Sequence, residues 1–301
     1  PGAGGSALSL TVDTTEDYVD TMPGDGRCRG EGFGLPGCSL RAAIMEANAS
    51  PGSDLINIPP GRYRLTLHDN RRLPDTDDRL GDLDIRDDVT LVGLVDENVS
   101  LNDILVERNS EQFSEEWRDD VSTDSIYPKI ESPFDRAFEI TEGASVRISN
   151  LVITGSNPDD YVQLRGGGLV NSGDLALSRV IFVGNQAFDG GGLFNFGTLV
   201  AEDTAFIGNR APGSAFINQG SASFRRSLIA FGINTGAAVV TGSGTLDRAS
   251  TPSFAGAQTR LENVTFFKNQ HDMQVLTRDQ SGTDLIHVTI VDSAWDPPRQ
   301  T

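Results

Sequence analysis

The sequence predicts an all-β chain, a right-handed parallel β-helix solenoid of about seven coils with an N-terminal capping helix. Three observations predict it. GGGLVNSGDLALSRVIFVGNQA, read from Gly166, is followed by GGGLFNFGTLVAEDTAFIGNRA, so Asn171 returns as Asn195, Phe182 as Phe206 and Asn185 as Asn209, each after 24 residues. A fixed period in this range marks a solenoid. Apolar residues alternate inside each copy, as in Leu175, Leu177, Val180 and Phe182, with Gly and Asn between the runs, which is the pattern of short strands joined by tight turns. Neither copy holds a segment periodic enough for a helix, so each is read as one coil stacked on the next at about 4.8 Å. The handedness follows the general preference of parallel crossovers.

Composition narrows the functional classes. Of 301 residues, 43 are acidic and 24 basic, for a formal charge of -19. That balance argues against a nucleic-acid partner, because phosphate binding needs a concentrated positive surface. It suits high solubility, bound divalent cations or a salty habitat. No apolar run of about 18 residues appears, so no membrane insertion by this segment is expected.

The first segment, 1–54, is read as a cap. Leu8 to Val12 forms a strand, and Asp13, Glu16, Asp17, Asp20 and Asp25 follow in an acidic, Gly-rich loop. Such carboxylates can ligate calcium, but their spacing does not match an EF-hand, and the loop is read as solvated. Cys28 and Cys38 lie ten residues apart. Two thiols lack the four ligands of a structural zinc site; a local disulfide is preferred over two unpaired thiols and implies a location outside the cytoplasm. Residues 39–49 form the predicted helix: Ser39 is the N-cap, Leu40, Ala43, Ile44 and Ala47 share a face, and Pro51-Gly52 ends the run. An amphipathic helix covers the open apolar end that a solenoid would otherwise expose.

Around this helix the residues carry a resemblance. Cys38-Ser39-Leu40-Arg41-Ala42-Ala43-Ile44, with Gly24-Asp25-Gly26-Arg27-Cys28 before it and Pro51-Gly52-Ser53-Asp54 after it, resembles the CSLREA motif of bacterial secreted and surface proteins. Gly81-Asp82-Leu83-Asp84-Ile85 and Val89-Thr90-Leu91 are similar to that family's next segment. Ala42 stands where the family has Glu, which removes a capping box. The GGGLxN and FxGN repeats separately resemble those of polymorphic outer-membrane proteins and other pectin-lyase-like β-helices. Together these likenesses imply a right-handed β-helix of the cell exterior; they imply no activity, since the fold hosts lyases, hydrolases and adhesins alike.

The β-helix is expected over 55–293, with insertions at 68–81, 94–136, 156–165 and 243–257, and 294–301 as a tail or truncated linker. Asn171, Asn195, Asn218 and Thr241 form one ladder, and Ile153, Phe182, Phe206, Ile229, Phe266 and Ile290 another. Stacked apolar side chains fill the interior, and Asn ladders bond to turn backbone and to each other. Asn150, Arg179, Asp203, Arg226, Asn263 and His287 are read as equivalent outward strand positions, where alternating charges neutralise one another across rungs.

Chemistry is expected where the repeat breaks. The insertions 68–81, 94–136 and 156–165 are read as interrupting one and the same turn, so that they build a wall beside the solenoid. That wall offers His68, Lys129, Tyr161 and Arg165 as catalytic candidates, Arg71, Arg72, Trp117 and Tyr127 as ligand-binding candidates, and Asp75, Asp77, Asp78, Asp119 and Asp120 as metal candidates, beside Glu115 and Glu116. No cofactor is certain; calcium is the one these carboxylates are suited to hold. His271 and His287 are read as structural or surface residues. No G-x-S-x-G is present, and the GGG runs are followed by neither Lys-Ser/Thr nor a helix, so neither a nucleophile elbow nor a phosphate loop is expected. The expected function is binding or display at the cell surface or in secretion, toward a polysaccharide or another cell-surface ligand. The competing expectation is a polysaccharide lyase or glycoside hydrolase acting on an acidic polysaccharide.

Overall fold

The computed structural model describes residues 7–32, 35–67, 78–95, 128–132, 135–155, 165–211, 214–234, 237–242, 256–269, 273–278 and 280–291. They form a parallel β-helix whose coils present three faces. The first face stacks Ser9–Thr11, Asp54–Ile58, Val89–Gly93, the first half of Ser145–Thr154, the first half of Asp174–Val183, Thr198–Glu202, Ser221–Arg225, Gln258–Glu262 and Gly282–Ile286. The second runs from Gly61–Arg64 through Pro128–Glu131, the second halves of the two long strands, Ala205–Ile207, Leu228–Ala230 and Thr265–Phe267 to Thr289–Val291. The third is a 7-stranded sheet from Leu83–Ile85 to Met273–Thr277. Every ladder between coils is parallel; the antiparallel pair Gly30–Gly32 and Leu35–Gly37 belongs to the N-terminal loop.

Among the described residues the first face has nine rungs and the third has seven, so the about seven coils expected are present as complete turns, with further first-face rungs at the ends of the stack. The stack begins before the helix, because Ser9–Thr11 already pairs in register with Leu55 to Asn57. A second difference concerns the insertions. Pro128–Glu131, inside the stretch 94–136, is a rung of the second face, with Ile130 between Tyr63 and Ile153. The long insertion therefore leaves the coil between the first and second faces, whereas 68–81 and 156–165 leave it between the second and third. A leading proline and two charged residues hid this strand, since only Ile130 carries an apolar signal inward.

The inner ladders follow the repeat. Tyr63, Ile130, Ile153, Phe182, Phe206, Ile229 and Phe266 stack in one column and are buried, each large side chain contributing roughly 1.5–3 kcal/mol. The Phe182 and Phe206 rings lie 4.8 Å apart and nearly parallel. Ile290 ends this column and is 58% exposed, because no described strand stacks beyond it. Asn171 Nδ2 donates to Asn195 Oδ1 and Asn195 Nδ2 to Asn218 Oδ1, both at 2.7 Å, so the buried amides form a continuous chain between coils. Asn218 Nδ2 passes the chain on to Thr259 Oγ1 at 2.9 Å.

Asn150, Arg179, Asp203, Arg226, Asn263 and His287 are equivalent, as expected, but they are not extended strand positions. All six have φ between 47° and 57° and turn the chain from the first face to the second. Left-handed backbone aims their side chains along the corner, where Arg226 makes a bidentate pair with Asp203 at 2.8 and 2.9 Å and Arg179 Nε donates to Asn150 Oδ1 at 2.6 Å. Between the third and first faces the coils approach so closely that a Cβ on Gly197 would lie 2.0 Å from the Gly173 carbonyl oxygen. Glycine is required there by space.

Helix α1 spans Leu40–Ala49, with Ser39 Oγ accepting from the Ala42 amide at 3.0 Å. Leu40 to Ala47 are all buried, beyond the single apolar face expected, because the N-terminal loop covers the side that the coils do not. Ala42 is fully buried, so the Glu of a capping box would place its carboxylate in the interior at this position. Arg41, also buried, pairs with Asp17 at 2.7 Å and donates to the carbonyls of Asp78, Gly81 and Asp82. Cys28 and Cys38 form the expected disulfide and fasten the loop beside the helix. Among the described residues no helix is long and apolar enough to cross a membrane.

Candidate functional site

Helix α1 meets the third face at a seam rich in carboxylates. Leu83–Ile85 turns Leu83 and Ile85 into the core, so Asp82 and Asp84, two residues apart, face the opposite way. Asp84 pairs in register with Glu139 of Phe138–Ile140 in the next coil. One carboxylate oxygen each from Asp82, Asp84 and Glu139 lie within 4.8 Å of one another. Asp78 joins them from the preceding turn: its side chain accepts from Asn48 of the helix at 3.2 Å and pairs with Arg86 at 2.5 Å.

Two guanidinium groups partly offset these charges. Arg86 bridges Asp78 and Asp84, the latter at 2.7 Å. Arg136 Nη1 reaches Glu139 Oε2 at 2.6 Å, while its Nε lies 3.3 Å from Asp82 Oδ2 and 3.8 Å from Asp135 Oδ1. Burial pushes the Asp82 carboxyl well above its usual range; Arg136 opposes the shift, and Asp135, Asp84 and Glu139 add to it. Burial likewise pushes Asp84 up to about 6, opposed by Arg86 and reinforced by Glu139 and Asp78. Oxygen ligands of this kind suit a hard cation.

Of the described candidates read from the sequence, Asp78 joins this seam, while Lys129 and Arg165 lie elsewhere. Lys129 lies on the outer side of the second face, buried, with Nζ 2.9 Å from Glu131 Oε1; Arg62 Nε approaches the other Glu131 oxygen at 2.6 Å. Burial alone would raise Glu131, but the hydrogen bonds from Arg62 and Lys129 outweigh it and hold the carboxyl below its usual value. Arg165 stands over the Phe194 and Phe196 rings at 5.2 and 5.6 Å. Lys129 and Arg165 thus belong to different faces and engage different partners. His287 sits exposed on the left-handed corner. His68, Arg71, Arg72, Asp75, Asp77, Glu115, Glu116, Trp117, Asp119, Asp120, Tyr127, Tyr161 and His271 lie outside the described residues.

Sequence reasoning passed over Asp82, Asp84, Arg136 and Glu139. A partial signal was present in Gly81-Asp82-Leu83-Asp84-Ile85, where two carboxylates alternate with apolar residues and so share the outer side of a strand. Glu139 stands 55 residues after Asp84, and only the stacking of coils brings them together. No protein-family model matches the chain, and no curated protein or solved structure matches it either.

Proposed function

We propose that this chain is a binding or display domain of a secreted or cell-surface protein, directed toward carbohydrate or another cell surface. The observation that carries the reading is the commitment of the repeated polar residues to the scaffold. Asn171, Asn195 and Asn218 spend their amide protons between coils, Arg179, Asp203 and Arg226 bind their neighbours on one corner, and Lys129 is buried against Glu131. A stack of coils of this kind presents an extended surface without needing a reactive centre. The Cys28–Cys38 disulfide fits an oxidising compartment. The net charge of -19 disfavours nucleic acid as the partner.

The test sets binding against turnover. The purified chain is applied to an array of polyuronates and neutral glycans, and the same glycans are incubated with it while unsaturated product and new reducing ends are followed. Saturable retention without product is the expected result. Product formation that is abolished in His68→Ala or Arg165→Ala would overturn the display reading in favour of a lyase or hydrolase.

A further inference from the structure

The seam between helix α1 and the third face carries more negative charge than its cations offset. Asp78, Asp82, Asp84, Asp135 and Glu139 surround it, against Arg86 and Arg136. Clustering alone would describe a solvated acidic surface, but Asp82 is only 4% exposed, and its Oδ2 has no hydrogen-bond partner among the described residues. The nearest cation, Arg136 Nε at 3.3 Å, makes no hydrogen bond to it and is itself left without one. A buried carboxylate oxygen without a donor costs free energy unless another group supplies the missing interaction. That oxygen lies on the side of Asp82 toward Arg136, whose other arm holds Glu139, so it stands on the side where Asp82 and Glu139 approach each other.

We propose that Asp82, Asp84 and Glu139 bind a divalent cation of the calcium class. Their oxygens lie within 4.8 Å of one another, the span of two ligands on opposite sides of an ion held at about 2.4 Å. The donors are all carboxylate oxygens, with no imidazole or thiolate among them, which favours a hard ion over zinc or copper. Glu139 is the half-exposed member and leaves a path for the ion and for the waters that complete its shell. Arg86 and Arg136 remain beside the ion, so affinity belongs to the weak extracellular range, with a Kd on the order of 10⁻⁴ to 10⁻³ M. The bound ion joins the strand that touches the capping helix to the strand of the next coil, and it adds to the Arg41 and Asn48 contacts that already hold the cap. This inference stands apart from the display reading, since a cation can lock the cap whatever the surface binds.

Calorimetric titration of the whole chain with calcium chloride tests it, alongside thermal unfolding with and without calcium. One saturable event and a calcium-dependent rise in Tm are expected, with both lost in Asp84→Asn and in Glu139→Gln. Glu139→Gln keeps the test decisive if Asp84→Asn fails to fold, because its side chain is partly in solvent; unchanged far-UV circular dichroism verifies its fold. Asp174→Asn, at an exposed acidic position on the first face, is expected to bind as the parent does. Absence of a saturable event, or equal binding by the parent and Glu139→Gln, would overturn the site. Equal stabilisation by magnesium would overturn its assignment to calcium.

Discussion

Replacing Asn195 by Asp changes one atom and inverts the hydrogen-bond ladder at its centre. Asn195 Nδ2 donates to Gly197 O at 3.0 Å, Asn218 Oδ1 at 2.7 Å and Ser221 O at 3.1 Å, while Asn195 Oδ1 accepts from Asn171. In Asn195→Asp the donor becomes a carboxylate oxygen facing three acceptors. Three lost bonds at about 1 kcal/mol each give about 3 kcal/mol. Burial without a donor raises the new carboxyl, and each unit of that rise adds about 1.4 kcal/mol at neutral pH. The expected loss at pH 7 is therefore about 4 kcal/mol or more, a large part of the roughly 5–15 kcal/mol that holds a typical domain together. The sign with pH follows from the raised folded-state pKa: the carboxyl takes up a proton more readily in the folded chain than in the unfolded one, so the loss is smallest in acid and grows as pH rises through that value. Urea denaturation followed by circular dichroism and by fluorescence, at pH 4 and pH 7, measures both. A loss below about 1 kcal/mol at pH 7, or one equal at the two pH values, would refute the structural role of the ladder.

Two further outcomes follow from buried charges. Asp17→Ala strands the Arg41 guanidinium and removes the acceptor of the Thr66 and Leu67 amides, so the chain is expected to lose about 3–5 kcal/mol, seen as a lowered urea midpoint. Glu131 has a depressed folded-state pKa, so its contribution is present above about pH 4.5, the value of the unfolded chain, and disappears as pH falls through the lower folded value, where the unfolded state has already taken up the proton. The stability gap between the parent and Glu131→Gln should be open at pH 7 and close progressively below pH 4.5 in urea midpoints; a gap that widens in acid would contradict the assignment of Arg62 and Lys129 as its partners.

Much of the architecture was legible because the solenoid repeats one physical solution. Phe182 and Phe206 recur at the same spacing as Asn171 and Asn195 since each coil buries the same column and closes the same turn. The strand Pro128–Glu131 was not legible, because Ile130 is its one strongly apolar residue and a single such residue gives periodicity nothing to detect. The left-handed corner carried a mixed signal: Asn150, Asp203, Asn263 and His287 are residue types that tolerate it, while Arg179 and Arg226 disguised it as an outward strand column.

The carboxylates at the seam show where sequence and tertiary structure divide. The sequence by itself determined the coil, its interior ladders, the capping helix behind Ser39 and the proximity of Cys28 to Cys38, since all of these arise from local pattern or a constant period. Only the tertiary structure decided that Asp82 and Asp84 meet Glu139 across a coil, that Arg136 reaches Asp82 without satisfying it, and that Lys129 is a buried partner of Glu131. Between Asp84 and Glu139 the path through the coil includes an insertion of no regular length. The register of stacked strands, and not the spacing in the chain, sets which side chains meet there.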